Sequence, residues 1–185
     1  MELKYEKDTG EDCLLSVDCT DCEICEPGPY VKRVNKKWYS FKYKGPGLRY
    51  EVALVIKTGL IAWVNGPFPC GSFPDHKIFK YCGLKDALDI NERVKADGGY
   101  KSLDPQFCKT PYGYTSIAHP ERKRMASRVR ARHETINRRI KKFNILTTVY
   151  RHSKNDHMDA FHAVCVVVQV EMLNGEPLFQ IENYT

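Results

Sequence analysis

The stretch Tyr50–Ile56 is apolar at every position except Glu51. Lys57-Thr58-Gly59 follows, and then a second apolar run, Leu60–Val64. A run of that length without alternation reads as a strand buried on both faces. The short glycine-containing turn and the return run read as a hairpin. This pair is the centre around which the rest of the chain must organise.

Leu14-Leu15-Ser16-Val17-Asp18 predicts another strand, running into a polar cluster, and Arg93-Val94-Lys95-Ala96-Asp97 a short one that ends at Gly98-Gly99. Breaks are expected at Glu26-Pro27-Gly28-Pro29 and at Lys44-Gly45-Pro46-Gly47, and loops over 65–71 and most of 105–120. Pro74-Asp75 predicts a helix start with Asp75 as its cap and Ile78, Phe79 and Cys82 facing inward. From about Pro120 to Phe143 the period becomes helical. Ala126, Val129, His133, Ile136, Ile140 and Phe143 recur at steps of three and four and form one stripe. A last helix capped by Asn155 or Asp156 runs to Leu173 and closes at Asn174-Gly175, although its valine content also allows a strand. Strands followed by a helix, a strand and further helices make a mixed α/β domain, and 185 residues suit one such domain.

Three acids stand out by position. Asp18 ends an apolar strand, Asp97 ends another before two glycines that let the backbone turn sharply, and Glu134 lies on the amphipathic helix beside its stripe. Acids at strand ends can point into one cleft, although 78 residues intervene between the first two and 36 between Asp97 and Glu134. Hard divalent cations take oxygen ligands. Two such metals about 4 Å apart can activate a water and stabilise the leaving oxygen of a phosphodiester. Plainer roles compete. Asp18 could solvate a strand end, Asp97 could be a turn residue, and Glu134 could pair with Arg130 and Arg138, each four residues away. Asp21 is a rival to Asp18, but an odd spacing along a strand sends the two side chains to opposite faces.

Charge narrows the class of partner. The net charge is +6, and 121–142 holds ten lysines and arginines against two glutamates. Such a block suits a polyanion such as DNA, with a solvated helix face as the alternative. Arg130, Arg138 and Lys141 share the face of Glu134 and are the candidate phosphate contacts. The polar start carries no secretory signal, and Ala163–Leu173 is too short to span a bilayer. An intracellular setting, nuclear or cytoplasmic, is therefore expected, with the eight cysteines as free thiols. Cys22-x-x-Cys25, near Cys13 and Cys19, invites a zinc reading, but no second pair follows it.

Several blocks together resemble one known family. Val17-Asp18-Cys19-Thr20, Pro74-Asp75-His76-Lys77-Ile78-Phe79 and Ala96-Asp97-Gly98-Gly99-Tyr100 resemble blocks of Harbinger-type DDE transposases. So does the helix Arg130-Ala131-Arg132-His133-Glu134 continuing through Ile136–Phe143, and the closing segment Phe161–Cys165 resembles the family's last helix. The blocks keep the family's order and cover nearly the whole chain. The resemblance implies a ribonuclease-H-like fold, a mixed central sheet flanked by helices. It implies catalytic, metal-binding roles for Asp18, Asp97 and Glu134, magnesium or manganese in a two-metal site, and cleavage or strand transfer on DNA. Cys19 departs from the family's glycine beside the first acid. Only about a dozen residues precede the first strand, so a separate DNA-binding module is expected from outside this chain, by way of a partner protein or a longer gene product. A homodimer stays open, as does a domesticated, non-cleaving DNA-binding or interaction protein on the same fold. His133, on the stripe, is expected to be a core residue.

Overall fold

The computed structural model describes residues 13–25, 35–89, 92–104, 106–110 and 120–181. The break expected at Glu26–Pro29 and the greater part of the loop expected over 105–120 lie outside them. A six-stranded mixed sheet forms the centre. Strand β1 (Leu15–Glu23) pairs antiparallel along its whole length with β3 (Gly45–Val55). The other edge of β3 carries β4 (Ile61–Pro69) and, at its start, the short β2 (Tyr39–Ser40), both antiparallel. On its far side β1 pairs parallel with β5 (Val94–Ala96), and β5 pairs parallel with β6 (Cys108–Lys109).

Both faces of the sheet are covered, which explains the unbroken apolar run at its centre. Helix α1 (Asp75–Tyr81) and a 3-10 turn at Gly98–Leu103 cover one face. There Phe79, Leu84, Tyr100 and Leu103 pack on Leu15, Val17, Ala53, Val55 and Val94. Helices α2 (Pro120–Ile140) and α3 (Lys154–Leu173) cover the other, where Ile136, Ile140, Phe161, Val164 and Val168 pack on Leu48, Tyr50, Val52 and Leu54. The stripe read from the sequence is the buried side of α2: Val129, His133, Ile136 and Ile140 are all buried. Tyr50 stacks on Phe161 with ring centroids 3.8 Å apart, and its hydroxyl meets His157 Nδ1 at 2.7 Å.

Several expectations are corrected. Asp18 does not end its strand, because β1 continues to Glu23. The polar residues beyond it find partners in the fold: Asp21 is held by Arg49 at 2.7 Å and by Ser40 at 2.6 Å. The predicted loop after Val64 is the second half of β4, in which a positive φ at Gly66 and a cis Gly66-Pro67 bond accompany a bulge opposite Arg49 and Glu51. Within 105–120, Cys108–Lys109 is strand. Asp75 does not cap α1. Pro74 holds that position, and the Asp75 carboxylate turns to Arg49 at 2.8 Å. Helix α3 is capped by the Ser153 hydroxyl, which accepts from the Asn155 N–H, and not by Asn155 or Asp156. Among the described residues no helix is long and apolar enough to cross a membrane.

Candidate active site

The sheet's own register brings together two of the three predicted acids. Val17 of β1 is the Cα partner of Ala96 of β5, so Asp18 and Asp97 are the next residues on adjacent parallel strands. There β5 ends, and the Asp97 carboxylate turns to accept from the Gly99 N–H at 2.8 Å. Both acids line one solvent-open cleft of about 390 Å³, together with Ser16, Lys95, Lys109, Arg130 and His133. Asp18 Oδ1 accepts from the Cys19 N–H at 2.8 Å, and Oδ2 accepts from Asn137 Nδ2 of α2 at 3.2 Å. Burial, and next the Asp97 charge, push the Asp18 carboxyl up to about 7.

The third acid stands apart. Glu134 is exposed and is not part of the cleft wall. It lies on α2 one turn after Arg130 and one turn before Asn137, which border the cleft and Asp18 respectively. Among the described residues, no three His, Cys, Asp or Glu side chains are grouped to hold a metal ion. The paired aspartates nevertheless suit a hard cation. They are oxygen donors, and burial together with the Asp97 charge holds the Asp18 carboxyl up to about 7.

Asp21, the rival, faces away. Its parity along β1 sends it with Cys19 toward the α1 side, where the Arg49 fork bridges it to Asp75. This ion pair holds the Asp21 carboxyl below its ordinary value despite burial. The cysteines do not converge on a zinc site. Cys19 and Cys22 leave opposite faces of β1, Cys22 is buried, and Cys25 is exposed.

The basic block divides by role. Arg130 lines the cleft and is exposed, and Arg138 is exposed. The Lys141 ammonium is taken up by the fold, donating to the Asp21 carbonyl, to Tyr43 Oη at 3.2 Å and to Leu146 O at 3.4 Å. Arg132 is 1% exposed and donates to the carbonyls of Ile56 and Phe179. Arg128 and Arg139 donate to Gln180 O and Glu176 O, so three arginines of α2 fasten the segment after α3. His133 is a buried core residue whose Nε2 meets Ser16 Oγ at 2.8 Å, and burial lowers its pKa to about 4. Sequence reasoning missed Asn137, Lys95 and Lys109 at this site. Only Lys95 left a signal, since alternation along Val94–Asp97 puts it on the face of Asp97.

Four antiparallel strands, β1 to β4, continued by two parallel ones, with adjacent aspartates at the junction, define a mixed α/β domain. The family model for DDE superfamily endonucleases matches residues 17–169, and the chain belongs to that family. Its fold is accordingly ribonuclease-H-like. The chain is 29% identical over 155 residues to a protein of Microchaete diplosiphon described as the probable transposase for insertion sequence element IS702. That alignment takes in 77% of this chain and 51% of the relative, so the chain spans about half the relative's length. No solved structure matches the chain significantly.

Proposed function

We propose that this chain is the catalytic domain of a transposase, of Harbinger type, that cuts DNA with magnesium or manganese held by Asp18, Asp97 and Glu134. The observation that carries the reading is the register of β1 and β5, which sets two carboxylates side by side in a cleft bordered by cations. When bound there, the divalent ions would supply a nucleophilic hydroxide and stabilise the leaving oxygen. The chain's own residues do the rest. Asn137 and the Cys19 N–H hold the two oxygens of Asp18, and the Gly99 N–H orients Asp97. Glu134 supplies the third carboxylate from α2, on the flank that carries Arg130 and Asn137. Arg130 and Arg138 present positive charge to the DNA backbone, while Lys141 supports the site from within by tying α2 to β1. DNA is the partner, and recognition of particular ends falls to a further DNA-binding module or a second protein.

A non-cleaving DNA-binding protein on the same fold is the second reading, favoured by the exposed position of Glu134 outside the cleft. A supercoiled plasmid incubated with the protein separates the two. Nicking with magnesium or manganese, little with calcium and none in excess chelator, supports the nuclease. DNA binding without nicking under any ion, in a protein that also gives no strand transfer, supports the second.

A further inference from the structure

Asp75, the first residue of α1, does not serve its own helix: its Oδ1 lies 2.8 Å from Arg49 Nη1. Arg49 is already matched by Asp21, to which it donates from Nε at 2.7 Å and from Nη2 at 3.0 Å. Charge balance therefore does not call for a second carboxylate on it. What that second carboxylate touches is the surroundings of both cleft aspartates. The thiol of Cys19, one residue after Asp18, is turned toward it. Its other oxygen, Oδ2, rests against Gly99, whose N–H holds Asp97 Oδ1 at 2.8 Å. A β-carbon on Gly99 would lie 2.6 Å from Asp75 Oδ2 and 3.1 Å from Asp97 Oδ1. Gly99 does not have a positive φ, so glycine is needed there for space and not for conformation. Close packing holds the arrangement. Tyr100 is buried, its hydroxyl meets Cys19 Sγ at 3.4 Å, and its ring meets Phe79 of α1 edge-on with centroids 6.1 Å apart. The Asp75 side chain thus sits where β1, α1 and the turn after β5 come together.

We propose that Asp75, anchored by Arg49, is a positioning residue that fixes the spacing of the Asp18 and Asp97 carboxylates and so the fit of the cleft to a divalent cation. This rests on the metal-binding reading of the two aspartates. Asp75 is not a ligand in this role. It works on Asp97 through Gly99 and on Asp18 through Cys19. Outer contacts of this kind orient a ligand before the ion arrives, and their loss typically weakens metal binding by about ten- to a hundredfold.

The test is manganese binding by the full chain without DNA, with free ion followed by electron paramagnetic resonance. Asp75→Ala and Gly99→Ala should each raise the Kd about tenfold, the second because its new methyl displaces both carboxylates. The double variant should bind little more weakly than either single one, since both act through one contact. Losses that came from general destabilisation would add instead. Asp75→Ser, small yet still polar, replaces Asp75→Ala in the cycle should that variant not fold. Asp21→Asn breaks the other arm of the Arg49 fork and leaves the contacts at Gly99 and Cys19 in place. It should lower stability in urea and leave the manganese Kd unchanged. A parental Kd in the Asp75 variant, additive losses in the double variant, or an equal loss in Asp21→Asn would each overturn the positioning role and leave the metal site standing. A parent that binds no manganese would instead overturn the metal reading of the aspartates, and the positioning role with it.

Discussion

Asp18 and Asp97 are each one residue beyond a directly paired position, Val17 opposite Ala96, on the parallel strands β1 and β5. Backbone hydrogen bonding alone therefore brings together two charges with 78 residues of sequence between them. Their repulsion adds to burial in holding the Asp18 carboxyl up to about 7. Asp97→Asn should lower the Asp18 value while leaving it above the usual carboxylate range, because burial is the larger cause. Carboxyl-carbon NMR titration reads this directly, and an unchanged Asp18 value would mean that the two acids are not in electrostatic contact. The same variant should weaken manganese binding, followed by electron paramagnetic resonance, by at least about tenfold, since one of few oxygen ligands is lost.

Much of this site was readable in the sequence. The strand ending at Asp97 shows itself through Gly98-Gly99, and the buried side of α2 through its period. The parity of Asp18 and Asp21 separates them correctly, because β1 is regular across both. What could not be read depends on partners distant in sequence. The polar half of β1 stays in the sheet because Arg49, Ser40 and Tyr43 satisfy it. Gly66-Pro67 looks like a loop and yet lies within β4, where a bulge absorbs it. Arg132 and Lys141 look like surface cations, but their termini reach backbone carbonyls that only the tertiary fold supplies.

Glu134 offers a clean separation of chemistry from stability. Its side chain is exposed, so Glu134→Gln should change the unfolding free energy by no more than about 0.5 kcal/mol. Nicking should nevertheless fall by about a hundredfold or more, because the substitution keeps size and removes the charge that a divalent ion requires. Plasmid nicking and urea denaturation of the same preparation check both halves. A variant that cuts at the parental rate would make Glu134 a helix-surface residue and move the third ligand elsewhere.

Arg132 should behave oppositely. It is buried, it donates to the carbonyls of Ile56 and Phe179, and burial lowers its pKa to about 10. Arg132→Met fills similar space but leaves those carbonyls unsatisfied, which should cost about 2 to 4 kcal/mol. The segment after α3 should then open first. Limited proteolysis followed by mass spectrometry should show cleavage near Glu176–Gln180 in the variant before the parent is cut. Equal protection in both would show that Arg128 and Arg139 hold the segment without it.

The pH dependence of stability contains two opposing contributions, and Glu51 isolates one. Its carboxyl is fully buried on β3. Oε2 accepts from Trp63 Nε1 at 3.1 Å, while Oε1 has no hydrogen-bond partner. Burial raises its pKa to about 8, so the folded chain keeps this proton after the unfolded chain has released its own. That contribution is full below about pH 4.5 and is lost as pH rises to about 8. His133 and His157 act the other way. Burial lowers both to about 4, so the unfolded chain binds protons first, and stability is lost as pH falls from about 6.5 toward 4. In the parent the two trends partly cancel between about pH 4.5 and 6.5. Glu51→Gln keeps an acceptor for Trp63 and removes the ionisation. It should match the parent near pH 4 and exceed it by on the order of 3 kcal/mol at pH 7, keeping the smaller loss toward neutral pH that the raised Asp18 carboxyl causes. Urea denaturation at pH 4, 5.5, 7 and 8 gives the difference directly. A difference independent of pH would show that the Glu51 carboxyl ionises normally and that water reaches it inside the sheet.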